Sequence, residues 1–190
     1  MRLTVYTDYT LRVMIYLTLK YQGGEVATID EMARAYDISR NHLMKIVNEL
    51  SQSGFIETTR GRAGGARLAR APERISLGEV VRMAEKDFAV VQCQEGAMES
   101  DCAVFQACNL KRALHRAVDA FMEELDKVTF DEAVGAPAVA ASMLGMTLDP
   151  IPIAMSARGS RVKASVVKSV RPVHHRKAAV KAGPRNPSTT

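Results

Sequence analysis

Between Thr28 and Leu68 the chain has few ways to fold: two short amphipathic segments are opened by hydroxyl caps at Thr28 and Ser39, and a glycine-rich hairpin follows them. Thr28-x-x-Glu31 is a capping box, in which the threonine hydroxyl takes the amide three residues on and the glutamate returns to the cap's own amide. The helix it opens runs through Ile29, Met32, Ala33 and Tyr36 and must stop before Ser39, which caps the next one. That next helix carries Leu43, Ile46, Val47 and Leu50 at the spacing of one buried face, and Gly54 ends it. Phe55–Thr59 and Ala66–Leu68 flank Arg60-Gly61-Arg62-Ala63-Gly64-Gly65 and predict a β-hairpin with a thin tip. Helix, tight turn, helix, hairpin is the order of a winged helix-turn-helix.

The flanking segments extend this into a mainly α fold with a small β-hairpin wing and a long dimerisation helix. Thr7 or Asp8 is placed to cap a first helix, with Leu11, Met14 and Ile15 facing inward and Gly23-Gly24 ending it. Ser76 and Glu79 box a fourth helix to about Glu85, and residues 87–107 read as a loop. A long helix from about Cys108 to Lys127 has Leu114, Val118, Phe121, Leu125 and Val128 in alternating steps of four and three, a heptad seam that predicts a homodimer. Thr129 and Glu132 cap one more turn. From about Gly135 the chain has no aromatic residue and gains Pro, Ala, Val, Lys and Arg, so disorder is expected. Three regions result: residues 1–75, the DNA-binding winged helix; 76–134, the cysteine loop, expected to bind a cluster, and the dimerisation helix; and 135–190, a basic disordered tail.

The net charge of +5 hides an uneven distribution. All 21 acidic residues lie at or before Asp149, while residues 151–190 hold nine Lys/Arg and no acid. Residues 1–75 carry 11 basic and 8 acidic groups, and 76–150 carry 6 and 13. A basic half suited to a polyanion thus precedes an acidic half that is not. The N-terminus lacks the apolar run and cleavage site of a signal peptide, and no stretch reaches the ~18 apolar residues of a membrane span. A cytoplasmic chain without membrane contact is expected.

With Leu43, Ile46, Val47 and Leu50 inward, the third helix turns Arg40, Asn41, His42, Lys45, Asn48 and Gln52 outward. Arginine, asparagine and glutamine are the side chains that chelate guanine and adenine edges in the major groove. Ser39 stands at a helix N-terminus, where amides and a hydroxyl hold phosphate. The wing supplies Arg60, Arg62 and Arg67, and its glycines keep the tip narrow enough for a minor groove. A polar outer face alone is usually only solvated. The face and the arginine hairpin in this order together predict a double-stranded DNA operator as partner.

Three cysteines, an odd number, argue against a disulfide scaffold. Cys93, Cys102 and Cys108 are spaced Cys-x8-Cys-x5-Cys, with neither the close pairs of a zinc knuckle nor a redox Cys-x-x-Cys. Three thiolates around a wide loop suit an iron–sulfur cluster, which takes four ligands; the spacing fits three idle cysteines equally well.

Leu3-Thr4 followed by Tyr6-Thr7-Asp8-Tyr9-x-Leu11-Arg12, then Ser39-Arg40-Asn41-His42-x-x-Lys45-Ile46, Arg60-Gly61-x-x-Gly64-Gly65-x-Arg67-Leu68 and a triple cysteine before a long helix resemble the small winged-helix iron–sulfur repressors that include NsrR, IscR and RirA. Phe121-x-x-Glu124-Leu125-Asp126-x-x-Thr129 extends the resemblance to about residue 134, and the Ser-Arg-Asn-His string is most similar to the nitric-oxide-responsive NsrR branch. The resemblance implies a cluster, [4Fe-4S] or [2Fe-2S], on Cys93, Cys102 and Cys108, and a repressor of nitric-oxide stress genes that releases DNA when nitric oxide reacts with it. It also implies Asp8 as fourth ligand, reaching across the dimer, a residue equally placed to cap the first helix. A carboxylate is a hard, replaceable ligand among soft thiolates, so its iron would be the point of attack. Arg12, one turn on, can pair with Asp8 or with an acid such as Glu85.

Two features depart from the resemblance. The first cysteine interval is longer than in many relatives, which keeps an iron-status-responsive, RirA-like repressor as an alternative; the longer loop costs only logarithmically more to close. The IscR branch takes a histidine three residues after its last cysteine, where this chain has Lys111, an ammonium with no lone pair to give. No P-loop, nucleophile elbow or His-Glu-x-x-His motif is present, so no enzyme is expected. A small electron-transfer iron–sulfur protein is a further alternative, but it would need neither the recognition face nor the arginine wing.

Overall fold

A computed structural model describes residues 2–21, 23–61, 64–91 and 102–146. Its first helix, α1 (Val5–Tyr21), is capped by Thr4 rather than by Thr7 or Asp8. Thr4 Oγ1 accepts from the Thr7 amide at 3.2 Å and the Thr4 carbonyl from the Asp8 amide at 3.0 Å. Asp8 therefore lies inside the first turn, exposed, where a negative charge suits the helix dipole. The buried face is led by Thr7, Thr10, Val13, Met14 and Leu17, while the expected Leu11 and Ile15 are only half-buried. Two inward threonines are tolerated because their hydroxyls bond one turn back, Thr10 to the Tyr6 carbonyl at 2.8 Å and Thr18 to that of Met14 at 2.9 Å.

α2 (Ile29–Tyr36) opens on Thr28 with both halves of the capping box formed. It ends at Asp37, whose left-handed φ of 53° an aspartate tolerates better than most residues. Asp37, Ile38 and Ser39 make the whole turn into α3 (Arg40–Gln52), and Ser39 caps it as expected. Leu43, Ile46, Val47 and Leu50 are all buried. β1 (Ile56–Thr59) and β2 (Gly65–Leu68) pair antiparallel, Ile56 opposite Leu68 and Thr59 opposite Gly65. Ala27 and Ala66 exchange two backbone hydrogen bonds at 2.8 Å, pinning the hairpin to the link between α1 and α2. That approach needs glycine at 65, where a Cβ would stand 2.7 Å from the Ala27 carbonyl oxygen.

A 3-10 turn, Pro72–Arg74, leads into α4 (Leu77–Ala84), with the Ser76–Glu79 box in place. A second 3-10 turn, Phe105–Ala107, precedes α5 (Leu110–Asp126). α5 packs on α4 so closely that a Cβ at Gly78 would meet Asp126 Oδ1 at 1.9 Å. Arg82 of α4 instead grips Asp126 with two bonds of 2.6 and 2.5 Å, which lowers the carboxyl's pKa. α6 (Phe130–Ala133) opens on the expected Thr129–Glu132 box, and Phe130 is fully buried with its amide bonded to the Ile75 carbonyl at 3.0 Å. Phe130 joins Leu17, Leu43, Ile46, Leu50 and Ile75 in one core beneath the helix-turn-helix. Truncating it to alanine should cost about 3–5 kcal/mol.

Leu114, Val118, Phe121, Leu125 and Val128 are all half-buried, whereas Met122 alone on α5 is buried. The expectation of disorder from Gly135 onwards is corrected over 135–146. α7 (Pro137–Met143) starts on a proline, and its Ala141 is buried with Leu19 and Val134, flanked by Ala140, Leu144 and Met146. Small apolar residues were enough to cover one edge of α1, although the segment has no aromatic anchor. The remainder of the expected tail, 147–190, lies outside the described residues, as do Arg62 and Cys93.

Candidate DNA interface and sensor residues

The candidate DNA face is built on α3. Ser39 holds its amide end, the hydroxyl accepting from His42 N at 3.4 Å, and Arg40, Asn41, His42, Lys45 and Asn48 are all exposed. Arg40 Nη1 reaches Asp30 Oδ1 on α2 at 2.8 Å. On the wing, Arg60 is exposed and Arg67 is paired with Glu57, Nε and Nη2 reaching one carboxylate oxygen at 3.0 and 2.7 Å. The periodicity missed Met44, which is 47 % exposed on the same helix. An exposed apolar side chain there suits a thymine methyl. Its signal was an apolar residue off the buried stripe.

Two contacts tie this face to α1. The Tyr6 hydroxyl donates to the Glu49 carboxylate, and burial together with that partner pushes the phenol pKa well above its usual range. The Tyr9 ring lies 6.0 Å from that of His42. α1 thus touches α3 near both ends through residues on either side of Asp8. Asp8 pairs with Arg12 at 2.9 Å, and the Arg12 guanidinium also stands 6.0 Å from the Tyr9 and Tyr36 rings. Burial pushes the Tyr36 phenol up to about 12.

Since Arg12 pairs with Asp8, Glu85, the second of the two acids offered to Arg12 by the sequence, is used otherwise. It closes α4, is buried, and its Oε2 accepts from the Thr4 amide at 2.9 Å, Thr4 Oγ1 at 3.1 Å and Thr7 Oγ1 at 2.7 Å. The residue that leads into the cysteine segment is therefore tied to the N-terminal turn that carries Asp8. Such multiple hydrogen bonding is what a buried carboxylate requires.

Cys102 and Cys108 are free, half-buried thiols on either side of the Phe105–Ala107 turn, just ahead of α5. Lys111 extends over the Phe105 ring at 5.0 Å. Among the described residues no three metal-ligating side chains converge, and Cys102 and Cys108 are not brought to Asp8 within this set. The donor chemistry, two unpaired thiols and an exposed carboxylate, nevertheless fits iron in a thiolate-rich setting. Among the described residues no helix is long and apolar enough to cross a membrane.

The family described as "Rrf2: Iron-dependent Transcriptional regulator" matches residues 3–136. The chain is 45% identical over 134 residues to the HTH-type transcriptional regulator NsrR of Bacillus licheniformis, covering 70% of this chain and 92% of that one. It is 46% identical over 134 residues to the regulator of the same name from Bacillus subtilis strain 168, covering 70% and 90%. Its fold is similar to that of CymR, the global cysteine regulator of B. subtilis, at a TM-score of 0.55 and 24% identity over 71% of this chain and 97% of that one. The expected mainly helical winged fold is thereby matched, and the chain regulates transcription rather than catalysing a reaction. It belongs to the Rrf2 family of iron-dependent transcriptional regulators.

Proposed function

We propose that this regulator is a homodimeric repressor that holds an iron–sulfur cluster on Cys93, Cys102 and Cys108 with Asp8 of the other protomer, and that nitric oxide is its signal. The observation that carries the reading is the 45–46% identity over 134 residues to regulators named NsrR, and all four residues fall within the family match over residues 3–136. Unpaired thiols at Cys102 and Cys108 and a surface-exposed Asp8 carboxylate support it. When bound, the cluster supplies irons open to attack by a small molecule.

The chain's own residues would convert that event into loss of DNA. An Asp8 engaged at the cluster leaves Arg12 to the Tyr9 and Tyr36 rings; an Asp8 set free re-forms its pair with Arg12. Tyr6 and Tyr9 carry any resulting movement of α1 to Glu49 and His42 on α3. Glu85 holds Thr4 and Thr7 and so keeps the turn bearing Asp8 in register with the start of the cysteine segment. Ser39, Arg40, Asn41, His42, Lys45 and Asn48 would meet the major groove, and Arg60, Arg62 and Arg67 the flanking minor groove.

Replacing any one of Cys93, Cys102 or Cys108 by serine is expected to give a colourless protein of weak operator affinity after anaerobic purification. A coloured, tightly binding Cys108→Ser protein would contradict the ligand set. The family's iron dependence favours one second reading, a repressor that responds to iron status. It requires operator binding to survive nitric oxide but not iron withdrawal.

A further inference from the structure

We infer that Asp30 and Glu57 are specificity-determining residues of the DNA interface, holding Arg40 and Arg67 neutralised until a matching base edge is offered. The inference rests on the reading of α3 and the hairpin as the DNA-binding face. Both arginines are exposed, and each has an acid from a neighbouring element at ion-pair distance: Arg40 with Asp30 at 2.8 Å and Arg67 with Glu57 at 2.7 Å. The acids are exposed too, Asp30 at 52% against 66% for Arg40 and Glu57 at 56% like Arg67, so they would also face a docked duplex. Among the described residues Lys45 and Arg60 have no such partner. Half of the four described cations of this face are thus cancelled in the free protein, and half are not.

The placement follows from local structure. Glu57 and Arg67 stand directly opposite each other in the β1–β2 register, while Asp30, the second residue of α2, meets Arg40, the first residue of α3, across the helix-turn-helix. Nε and Nη2 of Arg67 share a single Glu57 oxygen, so one edge of the guanidinium is occupied. Exposed pairs of this kind are weak, and a base edge rich in acceptors can displace the acid: guanine O6 and N7 for Arg40 in the major groove, adenine N3 and thymine O2 for Arg67 in the minor groove. A lone phosphate makes a poorer exchange, because the displaced carboxylate stays nearby and repels it. The acids therefore withhold both arginines from scrambled DNA, whereas on the operator the base contacts exceed the small cost of breaking two exposed pairs. Discrimination improves by penalising the wrong partner as well as rewarding the right one.

The test uses the full-length, cluster-loaded dimer under anaerobic conditions. Asp30→Asn, Glu57→Gln and the double variant keep shape and remove charge. Binding is measured by fluorescence anisotropy, across a salt series, to a duplex selected from random sequence by the wild-type protein and to a scrambled duplex of equal length. The double variant should bind the scrambled duplex about fivefold to tenfold more tightly and the selected duplex no more than about twofold more tightly. Its salt slope on scrambled DNA should steepen by about two to four, up to two additional phosphate contacts per protomer. Unchanged or weaker scrambled-duplex binding, or an equal gain on both duplexes, would overturn the inference. Arg40→Ala is the accompanying control. If it loses selected-duplex affinity while the acid variants are silent, only the neutralisation is wrong; if it binds like wild type, α3 is not the reading helix and both ideas fall.

Discussion

Two roles compete for Asp8 at the start of α1, the proposed cluster ligand and a surface carboxylate paired with Arg12. Because Thr4 supplies the cap, removing the Asp8 carboxylate should cost little beyond its exposed pair with Arg12, worth less than ~1 kcal/mol. Asp8→Ala is therefore expected to keep its thermal stability and assemble a cluster on three thiolates, with altered visible spectra and reaction rate with nitric oxide. Asp8→Cys, offering a soft ligand, should react more slowly. Stopped-flow absorbance of the three proteins checks this, and identical traces would remove Asp8 from the ligand set. The sequence pointed to Thr7 or Asp8 and missed Thr4, because all three are competent capping side chains and only the first helical residue, Val5, decides among them. Glu85 was beyond reach of the sequence for a different reason. Its three hydrogen bonds join segments some eighty positions apart, and no local pattern encodes them.

Among the elements, α2, α4 and α6 were the most legible, because each starts on a box of the form Thr/Ser-x-x-Glu that satisfies its own end. The α2 box also has a pH signature. Burial alone would raise the Glu31 carboxyl, but the Thr28 amide and hydroxyl and the Lys20 ammonium outweigh it and hold the pKa below its usual value. A depressed folded-state pKa contributes stability above the unfolded value of about 4.3, and that contribution is lost as pH falls through the lower folded value. Glu31→Gln should lose about 0.5–1 kcal/mol at neutral pH and show a flatter decline in melting temperature between about pH 5 and pH 3. Parallel melting curves for wild type and variant across that range would contradict the assignment. α7 was the least legible element. Its Ala, Val, Ser and Met residues have weak periodicity, and its place is set by the Leu19–Val134 surface it covers, a tertiary effect that composition does not register.

For the whole molecule, the half-buried seam on α5 is where the proposed homodimer would pair. Within one chain Leu114, Val118, Phe121, Leu125 and Val128 are incompletely covered, and their spacing suits a second helix. Phe121→Asp with Leu125→Asp would bury unpaired charges in that contact and is expected to give monomers by light scattering. A dimer that persists would place the interface elsewhere. Loss of the dimer should also deprive each set of three cysteines of its Asp8 and weaken operator binding, since paired half-sites need paired recognition helices. The most direct test is an anaerobic operator titration of the coloured wild-type dimer before and after stepwise addition of nitric oxide, with an iron chelator in a parallel series. Tight operator binding is expected before addition, with progressive release as nitric oxide reacts with the protein. Operator binding that survives full reaction with nitric oxide, yet disappears on iron chelation, would contradict that expectation.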